Sequence, residues 1–294
     1  MVKSLLMNIM RPIVNPITSL VLKSYYQDNL ELTDISANKR VLILAPHMDD
    51  ETIGLGGTIK KHKKYGADVY CVFVTDGASS VSDIEKEELS NIRKQEMTLV
   101  KDILGINHIY YMDLPDGNVK SNKESLAYLK DIIQEVNPDI IYTPPFVDAH
   151  KDHIATNKIV ADTLEKLDKK YSIRLYEVNC PLPKEKINIV VDVTEEYSDK
   201  VEAIEVFKSQ VIAFDGFLFL NEIKKHMIQN KKSQKVETFL EVSSDQYINK
   251  MNQIWPIHEN FPNQFKQVNR KVTLLWAIFK NIRYKRSLYK DVLK

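Results

Sequence analysis

No stretch of this chain approaches the ~18 uninterrupted apolar residues that a membrane-crossing helix needs, so no span is expected. Cysteine is scarce. Only Cys71 and Cys180 occur among 294 residues, far apart and without CxxC spacing, which excludes a disulfide framework or a thiolate zinc site. Both lie in apolar, strand-like runs and are expected to be buried free thiols in a reducing compartment. A dominant charge is also missing: 41 basic and 40 acidic residues leave a net +1, which argues against bulk attraction to nucleic acid. Met1 to Leu22 carries a Lys, an Arg and two prolines and lacks the compact apolar core of a signal peptide, making the cytoplasm the expected location. Internal repeats and low-complexity tracts are absent, and so is the HExxH pattern of zinc peptidases. With 44% hydrophobic and 28% charged residues, the chain reads as a soluble globular protein of one large or two small domains.

The informative stretch is Val41-Leu42-Ile43-Leu44-Ala45-Pro46-His47-Met48-Asp49-Asp50-Glu51. A short apolar run that breaks at proline reads as a buried strand, followed here by a His and three carboxylates. His47 and Asp50 are three apart, so a turn or a first helical turn puts them on one side. An imidazole and a carboxylate suit Zn²⁺, whose catalytic sites take three protein ligands. His150-Lys151-Asp152-His153 offers two further histidines, again three apart and again after an apolar run, Ile140-Ile141-Tyr142. Spacing alone leaves open which of His150 and His153 is the ligand.

Between and beyond these clusters the pattern alternates. Strands are expected at 69–74, 108–112, 175–178, 189–193 and 236–242. Helices are expected at 53–65, 84–104, 123–135, from His153 or Ile154 to Lys170, and at 195–208. This is an α/β fold: a Rossmann-like, mostly parallel sheet with helices on both faces, plus a mainly helical C-terminal extension. Gly54, Gly56 and Gly57 do not complete GxGxxG, and their expected role is close packing of the first helix. Residues 1–38 form an N-terminal arm in which Pro12 and Pro16 are expected to interrupt the helical pattern. Residues 39–214 form the main domain and 215–294 the extension. From Lys266 to Lys294 nine Lys or Arg face one acid, Asp291, with Trp276 and other apolar residues among them. A basic, apolar-faced tail reads either as a helix docked on the body or as peripheral contact with the inner membrane face.

Pro46-His47-Met48-Asp49-Asp50-Glu51 resembles the (A/P)HPDDE signature of the PIG-L/LmbE-like N-acetylglucosaminyl deacetylases, and Ala149-His150-Lys151-Asp152-His153 resembles their HPDH signature. Thr75-Asp76-Gly77, Arg93 with Glu96, Leu114-Pro115-Asp116-Gly117 and Lys200…Ala203…Ser209-Gln210 follow in matching order, so the likeness covers about residues 40–210. Met48 and Lys151 replace turn-stiffening prolines, and Phe207 stands where many relatives have His. The resemblance implies a zinc-dependent deacetylase, with Fe²⁺ as the alternative ion, acting on an N-acetylated amino sugar. His47, Asp50 and His153 would be metal ligands and Asp49 the general base. His150 would stabilise the oxyanion or protonate the leaving amine, and Asp152 would orient a histidine. Arg93 would reach the sugar, and Asp116 would face the same crevice. Two other functions compete: a non-catalytic zinc-containing sugar- or lipid-binding protein, and a two-metal phosphoesterase.

Overall fold

The structure, a computed structural model, describes residues 2–79, 84–210, 212–230 and 232–293, with side chains from residue 10 onward. Among the described residues seven strands form one sheet: β1 (Arg40–Ala45), β2 (Asp68–Thr75), β3 (His108–Leu114), β4 (Ile140–Thr143), β5 (Ser172–Leu175), β6 (Ile189–Asp192) and β7 (Val236–Ser243). Eleven α-helices are described: α1 (Val2–Tyr25), α2 (Asp50–Lys64), α3 (Lys86–Leu104), α4 (Lys123–Val136), α5 (Lys151–Leu164), α6 (Tyr197–Val206), α7 (Asp215–Ile223), α8 (Ser244–Ile254), α9 (Phe261–Gln264), α10 (Leu274–Phe279) and α11 (Ile282–Leu288).

The sheet order is β3-β2-β1-β4-β5-β7-β6. The first five strands are parallel, and β7 runs antiparallel to both of its neighbours. Val41 to Ala45 are fully buried because β1 lies at the centre, between β2 and β4, under helices on both faces. α2, α3 and α6 pack together as one helical layer, and α4, α5 and α8 as the other. The winding reverses at β1: the chain steps outward through β2 and β3, then returns to lay β4 on the other flank. Such a reversal opens a crevice at the strand carboxyl ends.

Three local expectations are corrected. α1 is one helix despite Pro12 and Pro16. Both prolines are on its exposed side, where water can satisfy the carbonyls of Asn8 and Pro12 that they release. β5 occupies 172–175 rather than 175–178, because pairing Ile140 with Ser172 and Thr143 with Leu175 ends it level with β4. α5 begins at Lys151 with His150 as its N-cap, and it stops at Leu164. The glycines of α2 do permit close packing, though mainly against other elements than β1. A Cβ on Gly57 would sit 2.7 Å from Val193 Cβ, and one on Gly54 2.3 Å from the Tyr176 ring. The tail docks on the body, with Leu274, Ala277, Ile278, Tyr289 and Val292 buried.

Candidate metal and active site

The loops leaving β1 and β4, neighbours on either side of the reversal, carry the two His/Asp clusters to one crevice. His47 follows β1 by two residues, and Asp50 opens α2. His150 caps α5, its Nδ1 accepting from Asp152 N at 3.3 Å, and His153 lies in the first turn.

These placements converge on one oxygen. Asp50 Oδ2 accepts from His47 N at 2.8 Å and lies 3.2 Å from His47 Nδ1. It also lies 3.2 Å from His153 Nε2. The far nitrogen of each ring meets another carboxylate. His47 Nε2 is 3.4 Å from Asp116 Oδ1 and 3.5 Å from Asp152 Oδ2. His153 Nδ1 is 3.5 Å from Asp148 Oδ2. The His47 and His150 rings meet edge-on with centroids 4.6 Å apart. Donor atoms also gather within 4.8 Å in two other sets, His47 with His150 and His153, and His47 with Asp116 and Asp152.

Five carboxylates (Asp49, Asp50, Asp116, Asp148 and Asp152) thus surround three imidazoles, and the surplus negative charge shows in the proton affinities. Burial alone would depress His153, but Asp148 and Asp50 outweigh it and raise its pKa to about 10. Burial likewise opposes charging of His47, yet Asp116, Asp152 and Asp50 hold its pKa well above the usual imidazole value. Asp49 is pushed up to about 7 by burial and by the charge of Asp50. His150 goes the other way: burial, then the neighbouring His47 and His153, lower it to about 4, so it is neutral at pH 7. A divalent cation fits this donor set, because nitrogen and carboxylate ligands already converge and protons now offset the charge that the ion would neutralise.

The cavity over the cluster has a volume of about 280 Å³. His47, Asp49, Asp50, Arg93, Asp116, His150 and His153 all line it, while Asp152 does not. Asp152 sits behind, accepting from Gly117 N at 2.6 Å. Arg93 and Glu96 are both buried. Arg93 donates to Gly77 O and, at 3.1 Å, to Gln210 Oε1, whose amide donates at 3.1 Å to Met48 O. Glu96 accepts from Ser209 N at 2.8 Å and Ser209 Oγ at 2.6 Å, so Ser209-Gln210 is held firmly with Phe207 buried beside it. Asp76 forms its turn, accepting from Ala78 N at 3.0 Å and Asp116 N at 3.2 Å. Glu51, the third acid of the first cluster, faces the core, where burial raises its pKa to about 8. His62 is structural, its Nε2 3.0 Å from Tyr142 OH.

Sequence reasoning missed Asp148. It is fully buried, and its Oδ1 accepts from His150 N at 2.8 Å and Asn179 Nδ2 at 3.0 Å. An acid two residues before a ligand-spaced His was the available signal, but it reads equally as a turn residue. Asn179, Phe217 and Gln267 also line the cavity from segments that carry no motif.

Both clusters lie in a segment that resembles known proteins. Residues 42–164 match the family model described as "PIG-L: GlcNAc-PI de-N-acetylase". A diacetylchitobiose deacetylase of Thermococcus kodakarensis is 33% identical over 141 residues, 46% of this chain but only 52% of that protein. A probable N-acetyl-alpha-D-glucosaminyl L-malate deacetylase 2 of Bacillus cereus is 26% identical over 60% of this chain and 85% of its own length. Among solved structures, the N,N'-diacetylchitobiose deacetylase of Pyrococcus horikoshii superposes with a TM-score of 0.61 at 25% identity, covering 71% of this chain and 85% of that one. A Pseudomonas hydratase shares the fold at a TM-score of 0.56 and 16% identity, so fold alone does not decide the chemistry. Residues 42–164 of this chain therefore match the PIG-L family domain.

Proposed function

We propose that this chain is a metal-dependent hydrolase that removes the acetyl group from an N-acetylglucosamine-containing conjugate. The observation that carries the proposal is the meeting of His47 Nδ1 and His153 Nε2 on Asp50 Oδ2, with Asp49 and His150 at the same cavity. His47, Asp50 and His153 are the assigned ligands, with zinc as the preferred ion and Fe²⁺ as the alternative. This set is favoured over the other two because each imidazole turns one nitrogen to Asp50 and the other to an outer carboxylate, the usual support of a ligating His. When bound, a divalent ion would polarise the amide carbonyl and acidify the attacking water.

The remaining steps belong to the chain. Asp49, with a pKa near neutrality, takes a proton from water as its oxygen bonds to the carbonyl carbon. His150 accepts at Nδ1 from Asp152 N, so the neutral ring carries its proton on Nε2 and can donate to the oxyanion. The C–N bond then breaks, a proton passes to the leaving nitrogen from Asp49 or His150, and acetate and a free amine result. Asp152 orients His47, and Arg93 and Asp116 are the assigned sugar contacts.

Release of free amine from N-acetylglucosamine conjugates of increasing size, with and without chelator, tests the reading. Chelator-sensitive release is expected. A folded, zinc-loaded protein that releases none would leave the sugar- or lipid-binding alternative. Two metals per chain, with phosphoester cleavage, would favour the phosphoesterase.

No helix among the described residues is long and apolar enough to cross a membrane. α1 nevertheless exposes Met10, Ile13, Ile17, Leu20 and Val21 along one side, while Thr18 and Leu22 face inward. It carries basic residues and no acid, and it lies along α10 with its exposed Trp276. We take this face as a peripheral contact for anionic lipid. Ile13→Asp with Leu20→Asp should abolish co-sedimentation with anionic vesicles; equal sedimentation of wild type and variant would exclude the contact.

A further inference from the structure

We infer that Phe217, outside the family-matched segment, sets the length of the N-acyl group the site accepts; the inference rests on the deacetylase reading above. The reaction cavity has two kinds of wall. Arg93, Asp116 and Gln210 line it with polar groups, whereas Ile53, Val178 and Phe217 line it with hydrocarbon. Those same three apolar residues also line a second cavity of about 20 Å³, whose other walls include Glu177, Asn221 and Thr238. Ile53, Val178 and Phe217 therefore form a partition between two spaces.

The partition begins beside the groups assigned to the reacting carbonyl. Ile53 lies one turn along α2 from Asp49, its N–H donating to Asp49 O at 2.9 Å. Val178 precedes Asn179, which donates to Asp148 behind His153. The acyl substituent is one bond from the attacked carbon and is the apolar end of an acetamido sugar, so hydrocarbon is its proper neighbour. A methyl group meets the partition; a longer chain must displace it.

Displacement is resisted by a backbone strap. Gly216 N donates to Asn269 O at 3.1 Å, and Val268 N donates to Asn179 O at 3.1 Å. A Cβ on Gly216 would lie 2.0 Å from Val268 O, so only glycine fits there. The strap ties the residue before Phe217 to the residue after Val178, and Phe217 itself is 5% exposed. The space behind holds about one water and admits no acyl chain while the partition stands.

The test compares kcat/KM for N-acetyl, N-propionyl and N-butyryl forms of one glucosamine conjugate. Wild type should prefer acetyl. Phe217→Ala should raise the butyryl-to-acetyl ratio about tenfold or more, the scale of a methylene or two in an apolar pocket. Phe217→Leu keeps the apolar packing and should move the ratio the same way by less, which covers the case in which the alanine variant does not fold. Phe219→Ala, on the same helix and also buried but lining neither cavity, should leave the ratio unchanged. An unchanged ratio in both Phe217 variants that still hydrolyse acetyl would overturn the inference, as would an equal shift in Phe219→Ala. Absence of any deacylation by wild type would instead remove the functional reading beneath it.

Discussion

Replacing Asp148 by Asn should weaken metal binding without disturbing the fold, and the geometry dictates why. Asp148 presents one oxygen to two donors, His150 N at 2.8 Å and Asn179 Nδ2 at 3.0 Å, and the other to His153 Nδ1 at 3.5 Å. Asparagine has the same shape but one oxygen and one NH₂. If the NH₂ faces His153, Nδ1 must become an acceptor, which moves the imidazole proton to Nε2 and blocks the nitrogen turned toward Asp50. If the amide flips, its NH₂ opposes two N–H donors in a fully buried position. Either arrangement removes what a carboxylate does for a ligating His, and loss of such a partner costs about 10–100-fold in affinity, or about 1.4–2.7 kcal/mol. Competition with a chromophoric chelator would measure the affinity, and circular dichroism would confirm the fold. A folded Asp148→Asn protein with wild-type metal affinity would refute both the tautomer argument and His153 as a ligand.

Other predictions follow from the same contacts. Asp49→Asn should retain metal and lose about 10²–10⁴-fold in turnover; full activity would remove Asp49 as the base. Because the base must be ionised, kcat/KM should fall as pH drops through a limb at or below about 7, lower with the ion bound, and this limb should vanish in Asp49→Asn. Ligation needs neutral imidazole, whereas His47 and His153 are held protonated. Metal binding at pH 7 should therefore release protons, and affinity should rise with pH as proton competition fades. Calorimetry in buffers of different ionisation enthalpy would count those protons. Lys200, buried against Glu237 at 2.6 Å, should cost about 3–5 kcal/mol of stability when changed to Ala, since a buried carboxylate loses its cationic partner. A near-native melting temperature would contradict that estimate.

The chemistry of the crevice was readable because polar residues broke apolar runs at two strand ends. A chain seldom puts imidazoles and carboxylates such as His47, Asp50 and His153 at buried strand ends unless they meet one another there. Alternating strand and helix patterns likewise exposed the parallel half of the sheet. The insertion of β7 was not readable. Val236–Ser243 looks like any amphipathic strand, and its place between β5 and β6 depends on pairings such as Arg174 with Glu241, about 67 residues apart in the chain. α1 runs on through its prolines because proline rules describe an isolated helix, whereas Leu22 and Tyr26 anchor this one to the body. Asp148 escaped notice because its value lies in distance and direction, which one-dimensional spacing does not carry.

The position of β7 also bears on how the chain is made. Among the described residues β7 is the strand that pairs with β6, and β5 would present an open edge on that side without it. During synthesis both must wait until residue 243 has emerged, well after the whole signature-bearing segment is available to fold. The nascent protein therefore passes through a stage with an exposed hydrogen-bonding edge beside a nearly complete sheet, the kind of edge that invites pairing with another chain. Closing that edge late couples the masking of this flank of the sheet to the emergence of β7.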